Sequence, residues 1–230
     1  MERETLKAGR VTFTATRRAA MSRTAFDPKQ HWENLYAKKG PQDVSWFQAM
    51  PKVSLDLFAE YRVPLHARII DVGGGDSLLV DHLLERGFRD VTVLDISGTS
   101  LAKARQRLGE AGATVQWIES DATRFDAPAP FDVWHDRAVF HFLTSEADVD
   151  RYLDRLSRLL KPGGLLILGT FSENGPEKCS GIPVHRYSEA EMVARLQKLC
   201  DRIKCFTVDH VTPFDTVQNF LFCAFRKAAF

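Results

Sequence analysis

Residues 69–77 of the chain read IIDVGGGDS, and this stretch decides the fold. A short apolar run that ends in glycines is typical of a buried parallel strand followed by a tight turn into a helix. The glycines allow the backbone to approach a ligand closely, and the N-terminus of the next helix offers unpaired N–H groups. A tight strand-to-helix turn that binds no ligand remains the alternative for this stretch alone.

Helix and strand signals alternate along the chain from residue 28 onward. Apolar runs predict further strands, and the segments between several of them carry apolar residues at the spacing of one helix face. The last two predicted strands, 204–208 and 220–225, are joined by a connection too short for a helical crossover, so we expect them to pair antiparallel. The sequence therefore predicts an α/β fold: a doubly wound, Rossmann-like, seven-stranded and mostly parallel sheet with a terminal antiparallel strand pair.

Length and composition limit the domain organisation and the partners. The 230 residues are enough for one domain, and the net charge of +1 excludes a polyanion-binding surface spread over the whole molecule. No apolar run reaches the ~20 residues of a membrane span. We therefore expect a cytoplasmic protein with no nucleic-acid or membrane partner, monomeric or a weak homodimer.

Residues 1–24 are predicted to be a flexible basic arm, with Met21 as a possible natural start. Residues 25–230 are predicted to form a single domain, with a helical lid at 28–62.

The cysteines give no sign of a metal site. Cys179, Cys200, Cys205 and Cys223 contain no C-x-x-C pair and no zinc-ligand spacing with histidine. Without a secretory signal they are expected to be reduced thiols. Cys200 and Cys205 flank a helix-to-strand junction and are the pair that could meet.

Acidic residues follow four successive predicted strands, at Asp71, Asp95, Asp121 and Asp136. The carboxyl ends of parallel strands share one edge of the sheet, so these carboxylates should rim one crevice. Any one of them alone could cap a helix or a turn. Together they predict a ligand that is rich in hydrogen-bond donors or positive charge. A dinucleotide-dependent dehydrogenase is disfavoured, because its fingerprint requires Gly or Ala where this chain has Leu78.

With these motifs the chain resembles the class I S-adenosylmethionine-dependent methyltransferases over roughly residues 30–228. IIDVGGGDS is similar to the first motif of that family, VTVLDIS to the second and ESDAT to the third, although Ser77 stands where the family has its third glycine. The resemblance implies that Gly73 and Gly75 face the methionine part of the cofactor, Asp95 the ribose and Asp121 the adenine amino group. The resemblance also implies contacts from Ala122 and His135. The expected cofactor-binding set further includes Asp71 and Ile96 at the strand ends and the aromatic side chains of Trp32 and Trp46, which suit a cationic sulfonium; packing on the core is the alternative for Trp46.

Within that family the chain is similar to thiopurine S-methyltransferase and its bacterial thiol-methylating relatives, on the segments HWE, SWF and WHDRAVFH. A sister resemblance is to the protein-lysine methyltransferases that act on citrate synthase. The expected function is methyl transfer to a small-molecule acceptor, a thiol or similar soft nucleophile. Protein-lysine N-methylation and a non-catalytic S-adenosylmethionine-binding module are the alternatives. No metal is expected.

The predicted catalytic residues follow the fourth strand: His135, Asp136 and Arg137. Arg137 would stabilise an anionic acceptor if it faces the pocket, and a salt bridge to Asp136 or another acid is the alternative. A general base, where one is needed, would be His135, Asp136 or His141. The polar, Gly/Pro-rich segment 173–184 is predicted to be a substrate lid.

Overall fold

The glycine-rich stretch lies at the end of the first strand of a seven-stranded sheet. The computed structural model describes residues 26–229, so the predicted basic arm lies outside the described residues. The strands are β1 (Ile69–Val72), β2 (Val91–Asp95), β3 (Gln116–Glu119), β4 (Phe131–Arg137), β5 (Leu160–Phe171), β6 (Lys178–Cys179), β7 (Ile182–Pro183), β8 (Cys200–Val211) and β9 (Val217–Lys227).

The strands of the large sheet lie in the order β3-β2-β1-β4-β5-β9-β8. Strands β1 to β5 are parallel, and β9 pairs antiparallel with both β5 and β8. The predicted doubly wound sheet with a terminal antiparallel pair is confirmed. Strand order reverses between β1 and β4, and sheets of this kind bind ligands outside the carboxyl ends of the strands at that point.

Two apolar layers cover the sheet because successive strand side chains point to opposite faces. The helices are α1 (Pro28–Lys38), α2 (Lys52–Glu60), α3 (Leu79–Glu85), α4 (Gly98–Leu108), α5 (Glu146–Leu159) and α6 (Glu189–Leu196). Ile70, Val72 and Trp134 belong to the cluster that includes residues of α5 and α6, while Ile69 and Val133 belong to the cluster that includes residues of α2, α3 and α4.

Strand β8 is much longer than the sequence predicted, at 12 residues from Cys200 to Val211. It lies at the edge of the sheet, and many of its side chains are exposed. Exposed positions need not be apolar, so the flanks of this strand lack the apolar pattern on which the prediction depended.

The prediction that all four cysteines are reduced thiols, with Cys200 and Cys205 as the pair that could meet, was wrong. The sulfur atoms of Cys205 and Cys223 form a disulfide, while Cys179 and Cys200 are free and buried. Cys205 and Cys223 face each other across the antiparallel pair β8–β9, with their Cα atoms 4.2 Å apart. Local sequence spacing suggested Cys200 and Cys205, but cross-strand register decides which sulfurs meet.

Within residues 26–229, no helix combines the length and the apolar character that crossing a bilayer would require.

Candidate active site

A cavity of about 220 Å³ lies outside the carboxyl ends of the parallel strands. Its lining includes the strand-end loops, helix α1, the short strand β6 and the last strand β9. The residues used below that line it are Trp32, Tyr36, Trp46, Gly73, Asp95, Ile96, Asp121, Ala122, Arg137, Val139, Phe142, Phe171, Cys179, Gln218 and Phe220.

The turn after β1 requires its glycines. Gly73 has a φ of 70°, and a Cβ atom there would lie 2.0 Å from Cγ2 of Val139. Gly75 has a φ of 48°, and its Cβ would lie 3.0 Å from both Oδ2 of Asp95 and the Tyr36 hydroxyl. A side chain at either position would be strained and would crowd residues that line the cavity.

Asp95, the last residue of β2, presents a buried carboxylate to the cavity. Its Oδ1 accepts a hydrogen bond of 2.8 Å from the backbone N–H of Ser97. Burial raises the pKa of Asp95 to about 7, although this hydrogen bond favours the charged form. Ser97 is the N-cap of α4 and accepts from the N–H of Ser100, so Asp95 also supports the start of this helix through its bond to Ser97.

Asp121 lies in the loop after β3 and lines the cavity together with Ala122 and Ile96. Its Oδ1 accepts hydrogen bonds of 2.8 Å from both the N–H and the hydroxyl of Thr123. The acid therefore holds the shape of the loop through one oxygen atom.

Aromatic side chains form the wall that faces these acids. Trp32 packs edge to face against Trp46 and Phe142, with ring centroids 5.8 and 5.3 Å apart. Trp46 also contacts the apolar cluster beneath it, so it lies both in the cavity wall and against the core.

Helix α1 is attached to α4 by two side chains whose role the sequence analysis missed. The carboxylate of Glu33 accepts hydrogen bonds from the N–H groups of Gly98 (2.7 Å) and Thr99 (3.3 Å) at the N-terminus of α4. The Lys103 ammonium donates to the carbonyl oxygens of Tyr36 and Lys39 near the C-terminus of α1. These bonds position Trp32 and Tyr36 over the cavity.

Arg137, at the carboxyl end of β4, is a partly buried cation in the cavity wall. Its Nη1 donates a 2.9 Å hydrogen bond to the Trp46 carbonyl, and its guanidinium lies 5.0 Å from the centre of the Phe220 ring. Among residues 26–229, no carboxylate oxygen comes within 4.0 Å of it, so the predicted alternative of a salt bridge to Asp136 does not occur. Burial lowers the pKa of Arg137 to about 10, which leaves it charged at neutral pH.

Asp136 does not line the cavity, contrary to the predicted catalytic position. The side chain is fully buried beneath the turn after β4. It accepts hydrogen bonds of 2.6 Å from the Tyr152 hydroxyl and 2.8 Å from the N–H of Val139. Burial raises its pKa to about 6.

His135 and Asp71 also lie away from the cavity lining. Nδ1 of His135 is 2.7 Å from Oδ1 of Asp71, and Nε2 is 2.8 Å from the Ser54 hydroxyl, with all three side chains buried. His135 precedes the last residue of β4 by two positions, which sets it about 7 Å back from the sheet edge. The predicted contact of His135 with a cofactor is therefore not supported by this placement.

His141, the other candidate base, is fully buried. Its Nδ1 accepts a 3.2 Å hydrogen bond from the N–H of Phe171. Burial lowers its pKa to about 3, so it is neutral at physiological pH.

The sequence analysis also missed two cavity residues, Gln218 and Phe220, which come from β9. Tyr36, in the predicted helical lid 28–62, and Cys179, in the predicted substrate lid 173–184, line the cavity as well. Burial raises the pKa of the Cys179 thiol to about 11, which leaves it protonated. No local pattern marks Gln218 or Phe220, because their contribution depends on β9 lying beside β5.

Residues 69–164 match the family model of the methyltransferase domain. An eEF1A lysine and N-terminal methyltransferase of Danio rerio is 28% identical over 160 residues, which cover 66% of this chain and 23% of that protein. A ubiquinone biosynthesis O-methyltransferase of Xylella fastidiosa is 35% identical over 136 residues, or 58% of this chain and 52% of that protein. The chain thus matches about a quarter to a half of the length of these relatives.

A solved structure has the same fold. The 1,6-didemethyltoxoflavin-N1-methyltransferase of Burkholderia thailandensis, with 1,6-didemethyltoxoflavin and S-adenosylhomocysteine bound, is similar with a TM-score of 0.62 at 22% identity. The similarity covers 87% of this chain and 84% of that one.

Proposed function

We propose that this chain, with its methyltransferase domain, is an S-adenosylmethionine-dependent methyltransferase whose acceptor is a small molecule with a thiol or similar soft nucleophile. The observation that carries the proposal is the juxtaposition of the Gly73–Gly75 turn with the buried Asp95 carboxylate in one cavity. The turn brings the backbone of Gly73 to the cavity surface. The acid offers a strong acceptor to that ligand.

Asp95 suits a ribose diol. One of its oxygens is bound to Ser97, and its carboxylate faces the cavity with a pKa raised by burial. Two hydroxyl donors would stabilise the charged form and replace the hydration that burial removes. Asp121, with Ala122 and Ile96 beside it, is positioned to accept from the adenine amino group.

Trp32, Trp46 and Tyr36 suit the positive sulfonium at the centre of the cofactor. Aromatic faces attract such a cation by ~0.5–2 kcal/mol. The bound cofactor supplies an electrophilic methyl group for in-line displacement. The residues of this chain bind and orient the reactants, and positioning of this kind can supply ~7–11 kcal/mol of the barrier.

The placement of the predicted catalytic residues favours a reaction without a general base. The three candidate bases, His135, Asp136 and His141, lie outside the cavity lining. Arg137 is the one predicted catalytic residue that lines the cavity. A thiol with a pKa of ~8.5 ionises at neutral pH at a cost of ~2 kcal/mol, whereas a lysine requires ~4.6 kcal/mol to lose its proton. The Arg137 cation stabilises a thiolate and opposes an ammonium.

Protein-lysine N-methylation remains the alternative function, and the names of the relatives bear on it. One relative is named as a lysine and N-terminal methyltransferase and another as an O-methyltransferase, so the relatives point to both acceptor classes. The charge of Arg137 in the cavity wall is the observation that favours a small, non-cationic acceptor.

Calorimetry with S-adenosylhomocysteine tests the cofactor. We expect binding to the wild-type protein and to the control Asp150→Ala, whose exposed side chain lies on α5, and at least a tenfold loss in Asp95→Ala. Undiminished binding by Asp95→Ala would remove Asp95 from the ribose role. No binding by the wild-type protein would overturn the proposed function.

Labelled S-adenosylmethionine added with the enzyme to a cell lysate tests the acceptor. We expect the label in extractable small molecules, and thiols to be methylated best in a panel of thiols, amines and alcohols. Label on protein would support lysine methylation instead. Cofactor binding without any transfer would indicate a non-catalytic module.

A cytoplasmic enzyme that is a monomer or weak homodimer, independent of metal and nucleic acid, remains our prediction. The near-balance of 31 basic and 30 acidic residues supports the absence of a nucleic-acid partner. Light scattering over a range of protein concentrations measures the oligomeric state.

A further inference from the structure

Arg137 and Gln218 act on the same short segment of the cavity wall. Nη1 of Arg137 donates to the Trp46 carbonyl, and Nε2 of Gln218 lies 3.2 Å from the Ser45 hydroxyl. Both side chains line the cavity, although one belongs to β4 and the other to β9. The contacts with Ser45 and Trp46 bring them to neighbouring positions.

Both residues keep polar atoms without partners. Within residues 26–229, the buried Nε and Nη2 of Arg137 and the buried Oε1 of Gln218 have no hydrogen-bond partner. Gln218 is only 8% exposed, so water does not readily satisfy it. Buried polar groups in native proteins are nearly always paired, and unpaired ones at a cavity point to a missing ligand.

The groups around Arg137 do not neutralise it. Asp71 acts on it only at longer range and is engaged with His135. The Cys179 thiol is protonated because burial raises its pKa to about 11. Burial and the charge of Arg137 lower the pKa of His210, which accordingly remains uncharged at neutral pH. This part of the cavity wall therefore carries net positive charge.

The same end of the cavity is aromatic. Phe142, Phe171 and Phe220 line it, and the guanidinium of Arg137 stacks on Phe220. Arg137 ends β4, two strand spacings from the Asp95 strand β2, or about 10 Å across the sheet. Its guanidinium extends towards Phe220 of β9, a strand that lies two spacings further from β2. The cation is thus directed away from the acid proposed to hold the ribose, towards the side left for the acceptor.

We propose that the methyl acceptor is an aromatic anion, whose carboxylate or comparable oxyanion pairs with Nε and Nη2 of Arg137. A donor group on the same molecule pairs with Oε1 of Gln218, and the phenylalanines contact its ring. This inference rests on the proposed function and names its acceptor class. The planar fork of Arg137 suits a carboxylate, which accepts two parallel hydrogen bonds.

The test uses benzoate, uncharged benzamide and benzylammonium as probes, titrated calorimetrically into the complex with S-adenosylhomocysteine. We expect benzoate to bind the wild-type complex at least about tenfold more tightly than benzamide, and benzylammonium more weakly than either. Arg137→Gln should remove the preference for benzoate, and Arg158→Gln, a control at an exposed arginine of α5, should keep it.

Gln218→Glu provides a second variant of nearly unchanged shape. Its added negative charge beside Arg137 should weaken benzoate binding, while S-adenosylhomocysteine binding persists and shows that the fold is intact. Equal responses to benzoate and benzamide in the wild-type complex, including none to either, would overturn the inference and leave the proposed function standing.

A different result would reassign Arg137. If Arg137→Gln loses affinity for S-adenosylhomocysteine while remaining folded by circular dichroism, the arginine binds the carboxylate of the cofactor, and the inference is wrong. If the wild-type protein binds no S-adenosylhomocysteine, the proposed function fails first and the inference with it.

Discussion

The carboxylate of Glu33 accepts a 2.7 Å hydrogen bond from the backbone N–H of Gly98, which joins α1 to the N-terminus of α4. The contact spans 65 positions of sequence and connects the aromatic wall to the strand-end loop after β2. A carboxylate is a favourable cap for a helix N-terminus, because it accepts from free N–H groups and complements the helix dipole. The bond therefore fixes the position of the aromatic wall relative to that loop.

Glu33→Ala should loosen α1 and weaken S-adenosylhomocysteine binding by about 1 kcal/mol, or roughly fivefold, as expected for the loss of a partly exposed helix cap. Calorimetry measures the change. Glu110→Ala, at an exposed position after α4, is the control and should bind normally. Wild-type affinity in Glu33→Ala would mean that α1 contributes nothing to the cofactor site.

Binding of S-adenosylhomocysteine should depend on pH through Asp95. Burial raises the pKa of its carboxyl group to about 7 in the free protein, and two hydroxyl donors from a ribose would lower it in the complex. Binding then releases a proton below pH 7, so affinity should fall as the pH decreases through 7 and level off above it.

Calorimetry in buffers of different ionisation enthalpy measures that proton release directly. Asp95→Asn serves as the control, since it cannot titrate and its weaker binding should not vary over the same range. An affinity of the wild-type protein that stays constant from pH 6 to 8 would contradict the assignment of the ribose to Asp95.

His135→Asn should destabilise the protein without abolishing methyl transfer. The histidine joins Asp71 to Ser54 in a buried network, and leaving such groups unpaired costs about 1–3 kcal/mol. Denaturant unfolding measures the loss, with the exposed His66→Asn as the unaffected control. A kcat reduced by a factor of a thousand with unchanged stability would instead make His135 a catalytic residue.

The disulfide should form in air-oxidised protein and stabilise it. Cys205 and Cys223 are separated by 18 residues, and a cross-link that closes a loop of this size contributes about 3 kcal/mol in chain-entropy terms. A reductant should therefore lower Tm in the wild-type protein and leave a Cys205→Ser, Cys223→Ser double variant unchanged.

Thiol titration in denaturant checks the pairing itself. Two of the four cysteines should react before reduction and all four after it. Four reactive thiols in protein never exposed to reductant would show that the bond does not form. In a reducing cytosol the same pair would be held as thiols.

Much of the sheet could be predicted because its signals are local. Short apolar runs bounded by glycines are characteristic of buried parallel strands, and the run before the glycine turn is the buried strand β1, as predicted. The edge strand β8 was predicted only in part, since its exposed side chains carry little apolar pattern. The disulfide was missed because register between distant strands leaves no mark in local spacing.

The amino-acid sequence by itself determined the order of strands and helices, the glycine turn and the acids at strand ends, because backbone conformation and apolar periodicity depend on neighbouring residues. Only the tertiary structure decided which of those polar side chains meet. The side chains of His135 and Asp136 lie on opposite faces of β4 and form buried hydrogen bonds with Ser54 and Tyr152. Arg137, the next residue, lines the cavity. The reason is geometric: a strand alternates its side chains, and only the residue at its end extends beyond the covering helices.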